Sequence, residues 1–115
     1  MSQILDYDNL NMLKEVIGDD LKSILESFNE ITPTVIDQLE QAIAQQDAPE
    51  VRHHAHTLKG SAANVGAIAL PSLCLEMENM GRAGDITHAA DLFAQIKDSY
   101  RTLSDAVNQY ITTEF

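Results

Sequence analysis

Apolar residues recur every three or four positions from Leu21 to Ile43, through Ile24, Phe28, Ile31, Val35, Leu39 and Ala42. Only a helix puts such positions on one face, so this stretch commits the fold to other helices that cover the stripe. Pro33 interrupts the hydrogen-bond ladder, yet the stripe keeps its phase across it, which predicts one helix bent near Thr32 and opened by Asp19 and Asp20. The other segments obey the same period. Leu10, Leu13, Val16 and Ile17 predict a helix from about Asp8, able to cap it, to a stop at Gly18. Leu70, Leu73, Cys74, Met77 and Met80 predict a helix over roughly Ile68 to Met80, with Pro71 in its first turn. Gly81-Arg82-Ala83-Gly84 reads as a breaker loop, after which Asp85 caps a last helix. Its stripe comprises Ile86, Ala89, Ala90, Phe93, Ile96, Tyr100, Leu103, Val107, Tyr110 and Ile111. No segment alternates with the period of a strand, and there is no repeat or interdomain linker. The expectation is one domain over residues 1–115: an all-α, antiparallel up-down four-helix bundle with a short N-terminal helix over one end.

The stretch from Asp47 to Gly66 is punctuated most clearly. Asp47-Ala48-Pro49-Glu50 combines a capping aspartate, a first-turn proline and a glutamate three residues on, and Gly66 closes the far end. At about 100° per residue, Val51, Ala55, Leu58, Ala62 and Val65 share a sector of roughly 80°, a buried stripe. The opposite face carries Pro49, Arg52, His56, Lys59, Gly60 and Ala63, with no large apolar group, so it should meet solvent. His56 has a cation at i+3 and a bare glycine at i+4, close enough to share its surface. Glycine costs a helix interior about 1 kcal/mol relative to alanine. A bare position beside the imidazole would let a second macromolecule bring its own backbone close.

The formal net charge of -11 excludes a general nucleic-acid binder and disfavours anionic membranes, since both need a basic surface. No apolar run is long enough to span a bilayer and no basic, apolar leader opens the chain, so a cytoplasmic protein is expected. The single cysteine, Cys74, reads as a small buried apolar group. Only seven residues are basic, and two of them, Arg52 and Lys59, flank His56 on one helical face. That is a local positive spot on an acidic chain.

An exposed histidine nucleophile suits reversible phosphoryl transfer. Imidazoles of ordinary pKa are mostly neutral at pH 7, and a neutral ring nitrogen forms a labile N–P bond without a buried base. Lys59 would hold positive charge near the transferred group, whose oxygens carry the transition-state charge, and Gly60 would clear the approach. The chain has no Gly-rich nucleotide loop and no acidic cluster beside His56 to hold magnesium, so donor and metal must come from elsewhere.

The run Ala55-His56-Thr57-Leu58-Lys59-Gly60-Ser61-Ala62-Ala63-Asn64-Val65-Gly66-Ala67, followed by Leu70, Cys74, Leu75-Glu76 and Gly81-Arg82, closely resembles the histidine-containing phosphotransfer (HPt) domains of multistep phosphorelays. Leu10, Leu13, Gly18-Asp19, Phe28 and Asp47 extend the resemblance more loosely over most of the chain. It implies a carrier that accepts a phosphoryl group from the aspartyl phosphate of a receiver domain and passes it reversibly to another receiver's aspartate. The partners would be receiver domains of hybrid histidine kinases and response regulators, which contribute the Mg2+ and the acidic pocket. Carried over by position, His56 is the phosphoacceptor through Nε2, Lys59 steadies the phosphoryl group, Gly60 permits close docking, and Arg82 matches a basic residue that lies near the acceptor in some members. At Glu78 some members have glutamine; the acid departs from that pattern, and no supporting hydrogen bond is carried over from it. A monomer is expected, since the stripes are used internally.

Two other readings use the same residues. His53 and His56, at i and i+3, would share a transition metal, though two imidazoles are an incomplete set and Lys59 opposes a cation. A receiver-docking adaptor that transfers nothing would keep the docking surface and have no use for the nucleophile. His53 and His54 lack the lysine–glycine arrangement one turn on and read as cover for the helix.

Overall fold

The computed structural model describes residues 4–115, and the described residues fold into five helices: α1 (Tyr7–Ile17), α2 (Asp20–Ala44), α3 (Ala48–Asn64), α4 (Leu70–Ala83) and α5 (Ala89–Glu114). Helix α2 packs on α3 and α5, α3 also packs on α4, and α4 on α5, which closes a ring of four; α1 lies against α2. Side chains meet across these seams. Phe28 and Ile31 of α2 face Leu58 and Asn64 of α3 across a groove, Phe28 meets Tyr100 of α5, and Asn29 meets Asn108. One continuous core runs through the ring, from Leu10 and Leu21 to Val107 and Tyr110.

Helix α2 continues through Pro33 without a break. The missing proline N–H removes the ladder partner of the Asn29 carbonyl, and the Asn29 side chain turns to α5, donating to Asn108 Oδ1 at 2.9 Å. The face it buries is shifted from the expected one. Leu21, Leu25, Phe28, Thr32, Ile36, Leu39 and Ala42 point inward, whereas Ile24 and Ile31 are exposed. The apolar sector of this helix is wider than one stripe, and the contact with α5 draws the 25, 32, 36 row into the core.

The ends of α1, α4 and α5 also differ from expectation. Asp6, not Asp8, caps α1, its carboxylate accepting from the Asn9 N–H at 3.1 Å, and Val16 at the far end is 80% exposed. Helix α4 starts at Leu70 and does not stop at Met80; it continues through buried Gly81 to Ala83 and ends on Gly84 in the left-handed conformation. Asp85 caps a turn rather than a helix. Its carboxylate accepts from the Thr87 N–H and hydroxyl at 3.2 and 2.7 Å, and α5 begins at Ala89, with Ala90 exposed. The α3 stripe is as read, with Val51, Ala55, Leu58, Ala62 and Val65 all buried. Asp47 caps α3 through the Glu50 N–H, and Gly18 and Gly66 take positive φ at the stops after α1 and α3.

One tie lies outside the helices. Leu5, fully buried, forms an isolated antiparallel bridge with Ala67, and the Asp6 N–H donates to the Gly66 carbonyl at 2.8 Å. This fastens the segment before α1 to the α3–α4 connection. Cys74 is buried, and desolvation pushes its thiol up to about 12, so it stays a neutral packing group. No helix among the described residues is long and apolar enough to cross a membrane.

Candidate functional site

Helices α3 and α4 pack more extensively than any other pair, and their seam holds the polar centre of the molecule. His56 stands on the outer face of α3 with its side chain 67% exposed, while Glu78 reaches it from α4 with only 5% of its side chain exposed. Glu78 Oε2 lies 3.1 Å from His56 Nδ1. Its other oxygen, Oε1, accepts from Lys59 Nζ at 2.6 Å, and Oε2 also accepts from Arg82 Nη2 at 3.2 Å. Arg82 in turn donates from Nη1 to Asn79 Oδ1 at 2.8 Å.

The cluster settles the protonation of its centre. The Lys59 ammonium, and then the hydrogen bond with His56, hold the Glu78 carboxyl below the ordinary 4.5 although burial pushes the other way, so Glu78 is ionised at neutral pH. An ionised carboxylate only accepts hydrogen bonds. In the neutral form of the ring, the nitrogen facing that carboxylate, Nδ1, carries the proton, and the lone pair is on Nε2, across the ring from Glu78. The arrangement presents a nucleophilic nitrogen with its back fixed and its front open.

His56, Lys59 and Arg82 are thus brought together through Glu78, from which the sequence reading carried over no hydrogen bond and which here meets all three. The signal for Glu78 was present. Cys74, Met77 and Gly81 are spaced i, i+3 and i+7, and Glu78 falls at i+4 on the same buried row, where a carboxylate requires partners. Gly60 faces open space, since a Cβ there would meet nothing within 4 Å. Packing therefore does not explain this glycine. His54 pairs with Glu50 at 3.1 Å and His53 is exposed, its ring edge-on to His54. Among the described residues no three His, Cys, Asp or Glu side chains converge as a metal site, and His53 has no third ligand to share with His56.

Exposure of one imidazole on a helical scaffold, backed by a buried carboxylate and flanked by cations, defines a helical protein that presents a histidine to the outside. The comparisons with known proteins give that class its family. The Hpt domain family model matches residues 23–106. Over its full length the chain superposes on the histidine-containing phosphotransfer protein B of Pseudomonas aeruginosa PAO1 with a TM-score of 0.93 and 28% identity, covering 100% of both chains. It shares its fold, at 19% identity and a TM-score of 0.81 over 97% of this chain and 96% of the other, with the histidine-containing phosphotransfer domain of ArcB from Escherichia coli. Multistep phosphorelay regulator 1 of Schizosaccharomyces pombe is 30% identical over 83 residues, which are 69% of this chain and 28% of that protein. The chain belongs to the Hpt domain family, and its role is phosphotransfer in two-component signalling.

Proposed function

We propose that His56 is the phosphoacceptor of a phosphorelay carrier, taking a phosphoryl group from the aspartyl phosphate of one receiver domain and yielding it to the aspartate of another. One observation carries this reading: Nδ1 is held 3.1 Å from a buried carboxylate while the ring stays two-thirds exposed, which aims the Nε2 lone pair outward. In transfer, Nε2 forms a bond to phosphorus and the acyl O–P bond breaks, its electron pair staying with the receiver's carboxylate. The Nδ1 proton does not move. The ring gains positive charge as the N–P bond forms, and Glu78 faces that charge, so the same contact serves the forward and the return step. Lys59, 29% exposed at the end of a flexible stem, is within reach of the incoming phosphoryl oxygens.

Magnesium, in this reading, is the receiver's. The site here does not fit a cation, because both Glu78 oxygens are already taken by Lys59, Arg82 and His56. No step on this chain runs through a metal. The receiver would seat over Gly60 and the adjoining α2–α3 groove, lined by Ile24, Phe28 and Ile31 and, on either side of Gly60 in sequence, by Leu58 and Ser61. The ring of contacts among α2, α3, α4 and α5, with short connections between them, supports a single-domain up-down four-helix bundle with α1 over one end; a cytoplasmic monomer is part of the same proposal.

The test is labelling by purified, phosphorylated receiver domains from the same cell. The chain acquires acid-labile, alkali-stable phosphate; His56→Gln abolishes this with the helical circular dichroism intact, whereas His53→Gln and His54→Gln keep it. Label persisting in the His56→Gln variant would move the acceptor elsewhere. A wild-type chain that binds receivers and stays unlabelled is an adaptor.

A further inference from the structure

Three of the seven basic residues, Arg52, Lys59 and Arg82, gather at one imidazole of a chain with net charge -11. Two of the three are engaged by Glu78. Arg52 forms no ion pair among the described residues. Its backbone lies at the closest approach of α3 to Gly81: a Cβ built on Gly81 of α4 would fall 2.6 Å from the Arg52 nitrogen and 2.8 Å from the Arg52 Cβ. The side chain therefore leaves the α3–α4 seam at a defined point. It forms one wall of an open cleft of about 400 Å³, shared with Pro49, His53, His56, Glu78 and Arg82.

The cleft includes Glu78, the residue that faces the Nδ1 edge of the ring. Arg82 Nη2 and His56 Nδ1 approach the same oxygen of Glu78, at 3.2 and 3.1 Å, so the cleft adjoins the Nδ1 edge, and transfer takes place at Nε2. An unpaired guanidinium held beside the acceptor but behind it has a different anion to meet. We propose that Arg52, with the outer edge of Arg82, docks carboxylates on the surface of the receiver and so selects among receivers; this rests on the reading of His56 as the acceptor. The acidic remainder of the chain repels an acidic partner in other orientations, and a forked cation here rewards only the orientation that also brings the receiver's aspartate over Nε2.

The experiment uses the receiver domains that charge the wild-type chain, with Arg52→Glu and Arg52→Lys as variants and circular dichroism as the check on fold. Arg52→Glu raises KM for the phosphorylated receiver by about tenfold and leaves kcat within about twofold, while Arg52→Lys retains most of the wild-type KM. Between about 50 and 300 mM NaCl, wild-type kcat/KM falls and that of Arg52→Glu stays level. The lifetime of the phosphohistidine without receiver is the same in both. An unchanged KM with each of these receivers overturns the proposal, and so does a shortened phosphohistidine lifetime at constant KM, which would put Arg52 on the phosphoryl group. A wild-type chain that no receiver labels overturns the carrier reading itself, whereas a labelled wild type with an insensitive Arg52→Glu variant overturns this proposal alone.

Discussion

Glu78 binds more partners than any other side chain of the site, and its chemistry gives the site a measurable pH signature. A carboxyl held below its ordinary value binds its proton more weakly in the folded chain than in the unfolded one. Its contribution to stability is therefore complete above about pH 5 and is lost as the pH falls through the depressed value. Urea unfolding of the wild type and of Glu78→Gln, compared from pH 7 to pH 3, should show a constant difference in midpoint at the neutral end. Below about pH 5 the difference moves against the wild type, because only the wild type loses this carboxylate. The other carboxyls titrate in both proteins and cancel in the comparison. A difference that stays flat through the acid limb would mean that Glu78 is not coupled to Lys59 and His56 in solution. Of the residues involved, His56, Lys59 and Gly60 were legible in the sequence because they lie on a face without large apolar groups, and a helical wheel finds that face. The contact of Glu78 with His56 was not, since His56 and Lys59 sit on a different helix and the row that carries Glu78 reads as core.

Helix α4 is where boundary and function meet. Gly81 and Gly84, three residues apart, look alike on paper, but only Gly84 breaks the helix, at φ 75°, while Gly81 is buried inside it. The absence of a side chain at Gly81 lets α4 approach α3 until their backbones touch, and that approach delivers Glu78 to His56 and Lys59 one turn earlier. Gly81→Ala places a methyl group 2.6 Å from the Arg52 nitrogen and 2.8 Å from the Ala48 carbonyl oxygen, neither of which can rotate away. The expected cost is about 1–3 kcal/mol of stability, read as a lower urea midpoint, with loss of the Glu78–His56 contact visible in the imidazole ring resonances. An unshifted midpoint would show that the helices separate without cost. The same element-level logic explains what the stripe of α2 left undecided. Ile24, Ile31 and Val35 and the row of Leu25, Thr32 and Ile36 are neighbours about 100° apart, both mostly apolar, and only the position of α5 chooses between them. Helix count and order needed only periodicity and glycine stops; the packed row needed the partner helix.

At the scale of the whole molecule, the row that α5 leaves unburied becomes surface with a direction. Ile24 and Ile31, 45% and 61% exposed, rim the groove between α2 and α3 on the flank of His56 away from the Arg52 cleft. His56 is thus bracketed by an apolar flank and a basic one, on a chain that is otherwise strongly acidic. A receiver that buries the apolar flank gains by hydrophobic burial, and the basic flank sets its orientation. Ile31→Lys separates these contributions. The side chain is mostly in water, so the change should leave stability within about 0.5 kcal/mol of the wild type. Docking should suffer far more, because a lysine buried under a partner must be desolvated without a counter-charge in a groove lined by Phe28, Leu58 and Val65. Transfer from receivers should fall by about tenfold or more through KM, whereas labelling by phosphoramidate, a donor too small to reach the groove, should proceed at the wild-type rate. Equal loss with both donors would mean that Ile31 acts through the fold of α2 and not through the partner it faces.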